Sequence, residues 1–416
     1  MRITKEFLLS TANLYGDSFY ILDSNNFIES FNDLTSKFKL YYPKSRIAYS
    51  YKTNYIPRLC SIVNELEGYA ETVSDMEVNV ALAVGVPPEK IFLNGPYKNH
   101  QSIEDLLLKG GVVNADSKAD LSIICSIASS RPKHILRIGI RCNFDINDGI
   151  ISRFGFDVSN GDFDRALTEI LDYSNIELVG LHCHFASRKL QSWINASKGM
   201  LKVIKAVEER NIGSIKYISL GGGLYGKMSL KLKKQLGINP PSFSEYAEAA
   251  AKPFANYFKD YDRDNTPELI IEPGTALAAN ALKFVARVVN IKQVGEKFIA
   301  TLSGSSFNTN PTSGNVNLPI TIFHTDEIRK IEYYEDLDMA GYTCIETDYL
   351  YRNYSGSLSV GDFIVFDSAG SYSIVMKPPF IMPNVPILEI NENQTVSVLK
   401  RQETFEDVFI TYKMVF

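Results

Sequence analysis

Between positions 47 and 271 the chain repeats one rhythm, an apolar run suited to a strand followed by a segment with helical spacing. The runs are Ile47–Tyr51, Tyr69–Val73, Lys90–Leu93, Gly111–Ala115, His134–Cys142, Glu177–His184, Lys216–Leu220 and Glu268–Ile271. Helix starts are marked between them. Ser74-Asp75-Met76-Glu77 sets a capping serine three residues before a glutamate, and Val78, Ala81 and Leu82 follow at helical spacing until Gly85. Ser102–Asp105 and Ser117–Asp120 repeat the pattern with an aspartate. This alternation predicts an α/β fold, a parallel (β/α)8 TIM-type barrel. A doubly wound sheet satisfies the same alternation, but the placement of the chemical residues favours the barrel.

On either side of the repeat the pattern differs. Phe19–Asp23 reads as a strand and Asn26–Phe38 as a helix. After Thr275 helical punctuation thins, and β-type runs appear at Phe284–Ile291, Phe298–Leu302, Leu318–Phe323, Asp362–Phe366, Tyr372–Met376 and Thr395–Leu399. The expected organisation is a barrel over residues 26–274, with residues 1–25 and 275–416 forming a second, all-β domain.

The chemical residues fall at the ends of the runs. The first run stops at Lys52, and Asn54 and Pro57 then break it. A lysine there can keep its stem in the core and put its amine into a cavity. Desolvation is expected to lower its pKa and make it a nucleophile toward an aldehyde. A lone strand-end lysine is more often a solvated surface residue, so the other groups decide. His184 ends the sixth run, Gly221-Gly222-Gly223 follow the seventh, and Glu272-Pro273-Gly274 follow the eighth. Barrel function collects at the C-terminal ends of the strands, and phosphates dock after strands seven and eight. Three glycines can offer successive backbone N–H groups to such an anion. In Leu181-His182-Cys183-His184, alternation sends both histidines to one face and the cysteine to the other, without a carboxylate triad. No metal is expected; an imidazole packed on a flat ligand ring is. A reactive amine, a phosphate cradle, an imidazole and a carboxylate together point to pyridoxal 5′-phosphate.

As a set these residues resemble the fold-III pyridoxal-phosphate decarboxylases, the group that contains diaminopimelate and ornithine decarboxylases. The resemblance runs from about Ser18 to Val385. It rests on Tyr49-Ser50-Tyr51-Lys52-Thr53-Asn54, Ser152-Arg153-Phe154-Gly155, Gly180 to Ser187 in a form similar to the diaminopimelate enzymes, Gly221–Gly223, Glu272-Pro273-Gly274, Gly341-Tyr342-Thr343-Cys344 with Asp348, and Ala369-Gly370-Ser371-Tyr372. It implies that Lys52 anchors the cofactor, His184 stacks on its ring, and Ser187 and the glycines meet its phosphate. It also implies that Glu272 faces the pyridine nitrogen and that Tyr372 reaches cofactor and substrate. Cys344 is the implied catalytic cysteine, supplied by the other subunit of a homodimer, with Asp348 beside substrate.

Two positions depart from the family pattern. Thr275 stands where an arginine near phosphate and substrate is usual, and Ile345 stands where an acidic residue meets the substrate's distal amine. No arginine for a distal carboxylate is evident in Asn310–Pro319. These departures lead to the expectation of a decarboxylase acting on an amino acid, or an amino-acid-containing intermediate, with a non-standard distal end. The alternatives are an ordinary meso-diaminopimelate decarboxylase and a catalytically inactive regulatory homologue.

Composition bounds the partners. A formal charge of −5 argues against nucleic acid or an anionic membrane. No apolar run is long enough to span a bilayer, and Met1–Asp17 lacks the pattern of a signal peptide. Five scattered cysteines without a CxxC pair suit a reducing cytoplasm.

Overall fold

The computed structural model describes residues 3–210, 212, 214–309, 311, 312, 316–325, 332–391 and 395–414. Positions 310 and 313–315 of the Asn310–Pro319 stretch thus lie outside the described residues. Two compact units form, one of Glu29–Gly226 with Pro240–Ala276, the other of Met1–Ile28, Lys227–Asn239 and Leu277–Phe416.

In the first unit all eight expected runs become parallel strands: β1 (Ser45–Ser50), β2 (Tyr69–Thr72), β3 (Ile91–Leu93), β4 (Val112–Ala115), β5 (Leu136–Asn143), β6 (Ile176–His182), β7 (Tyr217–Ser219) and β8 (Glu268–Ile271). They pair in the order β4, β3, β2, β1, β8, β7, β6, β5, and β5 returns to β4, so the sheet closes into the barrel. Closure removes both sheet edges and leaves every strand flanked. Ala48, Phe92, Val112, Val179, Tyr217 and Ile270 form a buried cluster among the strands. Tyr69, Phe92 and Tyr217 meet in sequence, the first pair edge-on and the second tilted, with ring centroids 5.5 and 4.8 Å apart.

The helix caps mostly follow the sequence. Glu77 N–H donates to Ser74 Oγ at 3.3 Å, and the Glu77 carboxylate accepts from Val73 N–H at 2.8 Å. Ser117 and Asp120 repeat this arrangement. Ser102 does not cap. Its helix starts at His100, and Asn99, an equally good cap, accepts from Ser102 N–H at 2.8 Å.

The second unit is built on a nine-stranded mixed sheet among the described residues. Phe19–Leu22 lies between Leu282–Val294, antiparallel, and Ile387–Ile390, parallel. Its core joins Leu8, Phe19, Ile21, Val285, Phe363, Val365 and Leu388. The expected strand Tyr372–Met376 is absent. Tyr372 adopts the left-handed φ of 64°, and its carbonyl accepts from Met376 N–H at 2.9 Å, which makes a turn. Strands at Glu332–Ala340, Tyr349–Leu358 and Ile387–Ile390, and a helix at Lys5–Tyr15, were not expected from the sequence. Segment 227–239 belongs to this unit; Gln235 Nε2 donates to the Asn317 carbonyl at 2.9 Å.

One ion pair in the barrel unit is completely enclosed. Lys98 Nζ lies 2.7 Å from Asp120 Oδ2, with the two side chains 0% and 5% exposed. Removing one partner leaves a buried charge without compensation. We predict that Lys98→Met lowers stability by about 3–5 kcal/mol, and that adding Asp120→Leu recovers part of the loss. Denaturant midpoints of the single and double variants check this.

Candidate active site at the ends of the barrel strands

Lys52 sits on the single 3-10 turn, Tyr51–Thr53, that ends β1. The neighbouring β8 end holds it in place. Ser50 N–H donates to the Pro273 carbonyl at 3.1 Å. Gly274 packs so closely that a Cβ there would lie 2.0 Å from Thr53 Oγ1. The glycine of Glu272-Pro273-Gly274 is therefore a packing requirement of the lysine turn. Thr275 follows it, half-buried, as the first residue of a one-turn helix.

The Lys52 amine forms an ion pair with Glu71, the third residue of β2. Glu71 also accepts from the Ser50 hydroxyl and from Asn94 Nδ2, the latter at 3.1 Å. Burial pulls the Lys52 pKa down, but the carboxylates of Glu71 and Glu272 outweigh it and the net displacement is upward. The expected depression does not occur in the cofactor-free chain, because the amine rests as an ammonium on a buried carboxylate. Desolvation alone was the wrong guide once a partner was present.

Glu272 is 4% exposed and fully engaged. Ser219 Oγ donates to Oε1 at 2.7 Å, Asn94 Nδ2 approaches the same oxygen at 3.3 Å, and His182 Nε2 lies 3.2 Å from Oε2. Burial pushes the carboxyl upward, but His182 and Lys52 overcome this and hold it down at about 2. It is thus charged at any working pH. His182 Nδ1 is buried with no partner.

His184 stands two residues beyond the end of β6. Its Nδ1 accepts from Gly222 N–H at 2.9 Å, so in the neutral ring the proton is on Nε2. Burial and then the Lys52 charge lower its pKa to about 3, so the ring stays neutral. The Gly triplet passes between His184, Glu272 and Ser187. A Cβ on Gly221 would lie 2.4 Å from His184 Nδ1, one on Gly222 2.3 Å from the Glu272 carbonyl oxygen, and one on Gly223 2.8 Å from the Ser187 carbonyl oxygen. Gly221 N–H donates to Ser219 Oγ at 3.2 Å and Gly222 N–H to His184. Two of the three expected anion donors therefore serve the chain itself. Behind His184, Arg141 donates to its carbonyl at 3.3 Å, pairs with Asp116 at 2.9 Å, and lies over the Phe154 ring at 4.5 Å.

These residues fit pyridoxal 5′-phosphate. Glu272 is held ionised, as an acceptor for a pyridinium proton must be. The Lys52 side chain is a third exposed, unlike the buried groups around it. Three glycines in succession let the chain pass this closely between His184, Glu272 and Ser187. Lys52 would hold the aldehyde carbon, Glu272 the ring nitrogen, His184 the ring face, and Gly223 and Ser187 the phosphate. The sequence pointed to Lys52, His184, Ser187, the glycines and Glu272. It gave no warning of Glu71, Asn94, Ser219 or the pairing role of His182. Their common signal is position at or just past a strand's C-terminal end.

The remaining expected residues lie in the second unit. Cys344 is exposed and Ile345 is 40% exposed, on the turn between Glu332–Ala340 and Tyr349–Leu358. Asp348, expected beside substrate, is instead buried and saturated. Its Oδ1 accepts from Ser306 N–H and Oγ at 2.7 Å and from Ser305 Oγ at 3.2 Å; its Oδ2 accepts from Thr343 Oγ1 at 2.6 Å and Thr343 N–H at 3.3 Å. A carboxylate with both oxygens so occupied clamps the Cys344 loop rather than meeting a ligand.

A closed α/β barrel with a strand-end lysine, a charged ring-nitrogen acceptor and a glycine cradle defines a pyridoxal-phosphate enzyme. Residues 28–279 match the family described as pyridoxal-dependent decarboxylase, pyridoxal binding domain, and the chain belongs to that family. It is a pyridoxal-phosphate-dependent amino-acid decarboxylase. It is 26% identical to a diaminopimelate decarboxylase of Aquifex aeolicus over 96% of this chain and 92% of that one. It is 27% identical to the Haemophilus influenzae enzyme of the same name over 84% and 82%. The fold is shared with the crystal structure of diaminopimelate decarboxylase from M. jannaschii, with a TM-score of 0.85 at 21% identity over 98% of this chain and 94% of that one. It is shared also with a lysine/ornithine decarboxylase from Vibrio vulnificus complexed with putrescine, with a TM-score of 0.74 at 18% identity over 93% and 98%.

Glu77, 4% exposed, gives the site region a pH-dependent stability. Burial raises its pKa to about 7, against the lowering effect of Val73 N–H. Unfolded, the group releases its proton near 4.5. Below that value both states are protonated and it contributes nothing. Between the two values only the folded state keeps the proton, so stability falls as pH rises, and above about 7 the full penalty remains. We predict that Glu77→Gln, which keeps the acceptor for Val73, stabilises the cofactor-free chain by roughly 3 kcal/mol in alkaline buffer. It should have no effect in acid below the unfolded value; urea titrations at the two extremes check both arms.

Proposed function

We propose that the chain removes the α-carboxylate of meso-diaminopimelate; the curated relatives that it matches over nearly their whole length are named diaminopimelate decarboxylases. The observation that carries decarboxylation itself is the pair of buried carboxylates around Lys52. Glu71 holds the Nζ proton that must leave when the amine engages the cofactor. Glu272 holds a proton on the ring nitrogen. Bound there, the cofactor supplies an electron sink for the pair left at Cα when carbon dioxide departs. Lys52 Nζ or Cys344 Sγ returns a proton to Cα. Tyr372 and Thr275 complete the cofactor and substrate surroundings in this reading.

A second reading is favoured by Ile345. An exposed isoleucine offers no charge to a distal ammonium, and Thr275 offers one neutral hydroxyl where family members carry an arginine. In this reading the substrate keeps an ordinary α-amino-acid head and has an uncharged or larger tail. Leaving a buried distal charge unpaired costs about 3–5 kcal/mol, or roughly a hundredfold to several thousandfold in rate. The expected outcome for the first reading is that meso-diaminopimelate has the highest kcat/KM in a panel of amino acids and amino-acid conjugates. A conjugate or apolar-tailed amino acid ahead of it by that margin would establish the second.

We also propose a cytoplasmic homodimer in which Cys344 completes the partner's site. This rests on the assignment of Lys52 and Cys344 to different units of the chain, and on the family resemblance. Lys52→Ala and Cys344→Ala proteins should each be inactive alone. After subunit exchange, verified by native mass spectrometry, their mixture should regain about a quarter to a half of the activity from hybrids with one intact site. An inactive mixture would mean that the two residues act within one subunit.

A further inference from the structure

Tyr217 fills the barrel interior in room left by two side chains that β5 and β6 lack. A Cβ on Gly180 would lie 1.9 Å from Tyr217 Cζ, and one on Gly139 would lie 2.2 Å from its hydroxyl oxygen and 2.0 Å from Asn114 Oδ1. Glycine inside a strand weakens it and marks close approach of another group. Here two of them, on adjacent strands, clear space for one hydrogen bond, from Tyr217 OH to Asn114 Oδ1 at 2.7 Å.

That bond has a direction, and the direction propagates. Burial holds the Tyr217 phenol far above its ordinary pKa, so it keeps the proton that it donates to Asn114 Oδ1. Its donation assigns Oδ1 of Asn114 and turns Nδ2 toward Asn94. Asn114 Nδ2 donates to Asn94 Oδ1 at 2.7 Å, which in turn assigns the Asn94 amide. The Asn94 nitrogen then faces Glu71 Oε1 at 3.1 Å and Glu272 Oε1 at 3.3 Å. A flipped Asn94 would turn its carbonyl oxygen on both carboxylates.

We propose that Tyr217, Asn114 and Asn94 form a one-way hydrogen-bond relay that keeps the Asn94 amide nitrogen between Glu71 and Glu272, so that each carboxylate keeps a donor, one beside Lys52 and one at the ring-nitrogen position. The three are positioning residues that act through Glu71 and Glu272. The inference deepens the reading of the site given above and rests on its assignment of Lys52 and Glu272. The charged or titratable groups that act on Lys52 or feel its charge are Glu71, Glu272, Glu77 and His184, and a change at Tyr217 leaves all four in the chain.

The test compares hydroxyl removal at two interior tyrosines. Tyr217→Phe breaks the relay at its source. Tyr69→Phe removes a hydroxyl that donates to Glu268 Oε2 at 2.8 Å, from the same aromatic group but off the relay. In the full-length, cofactor-free chain, the Lys52 titration is read by competitive acetylation against pH, with mass spectrometry of the Lys52 peptide. A carboxylate that loses its donor protonates more readily and supports the ammonium less. The Lys52 pKa should fall by about one unit in Tyr217→Phe and in Asn94→Leu, and stay at the wild-type value in Tyr69→Phe. In the holoenzymes, the visible spectrum of the bound cofactor should change for Tyr217→Phe and not for Tyr69→Phe. An unchanged Lys52 titration in Tyr217→Phe, or an equal fall in Tyr69→Phe, overturns the relay. Neither readout involves substrate, so this outcome is independent of which amino acid the enzyme decarboxylates.

Discussion

Two buried carboxylates at the C-terminal ends of the barrel strands are the constraint on which the site depends. Glu71 and Glu272 are 1% and 4% exposed. A buried ionised carboxylate is tolerated only when donors or cations surround it. Here the surroundings come from four strands or strand ends: Lys52 and Ser50 from β1, Asn94 from β3, His182 from β6, and Ser219 from β7, with the two acids themselves on β2 and β8. No local segment could supply such a shell. The barrel supplies it because its strands all point one way and end at one level.

Much of the architecture was legible because a strand flanked on every side is a continuous apolar run, and runs separated by capped helices leave few topologies. The β-rich unit was harder. Glu332–Ala340 carries Glu335, Asp336 and Asp338 and looks like a solvated loop. Asp338 is nonetheless buried, because Arg352 and Lys297 reach it at 3.0 and 3.6 Å from neighbouring strands. Tyr372–Met376 showed the opposite error. An aromatic and β-branched run looked like a strand, but Tyr372 takes a left-handed conformation and turns the chain.

The site divides in the same way. Lys52, His184, the glycine triplet and Glu272 could be found because each combines an unusual residue with a strand end. Asn94, Asn114 and Tyr217 could not. Each is a single polar residue on a different strand, and their significance lies in the bonds that barrel closure makes between them. Asp348 is buried and bonded by Ser305, Ser306 and Thr343; sequence locates a carboxylate without showing how many donors already claim it. At Ile345 and Thr275, the two departures from the family pattern, the relatives' names and the residue chemistry point in different directions.

The seam between β1 and β8 carries one more consequence. Ser50 bonds to Pro273, and Thr53 fits against Gly274, so the lysine turn is shaped by residues more than two hundred positions later in the chain. While the protein is being synthesised, the first strand emerges long before the last. A nascent chain that ends between Lys52 and Glu272 has its lysine but lacks both the wall that orients it and the Glu272 carboxylate. Cofactor capture must therefore wait until the barrel has been translated through its final strand, and a truncated product would be unable to sequester the vitamin-derived aldehyde in this cradle.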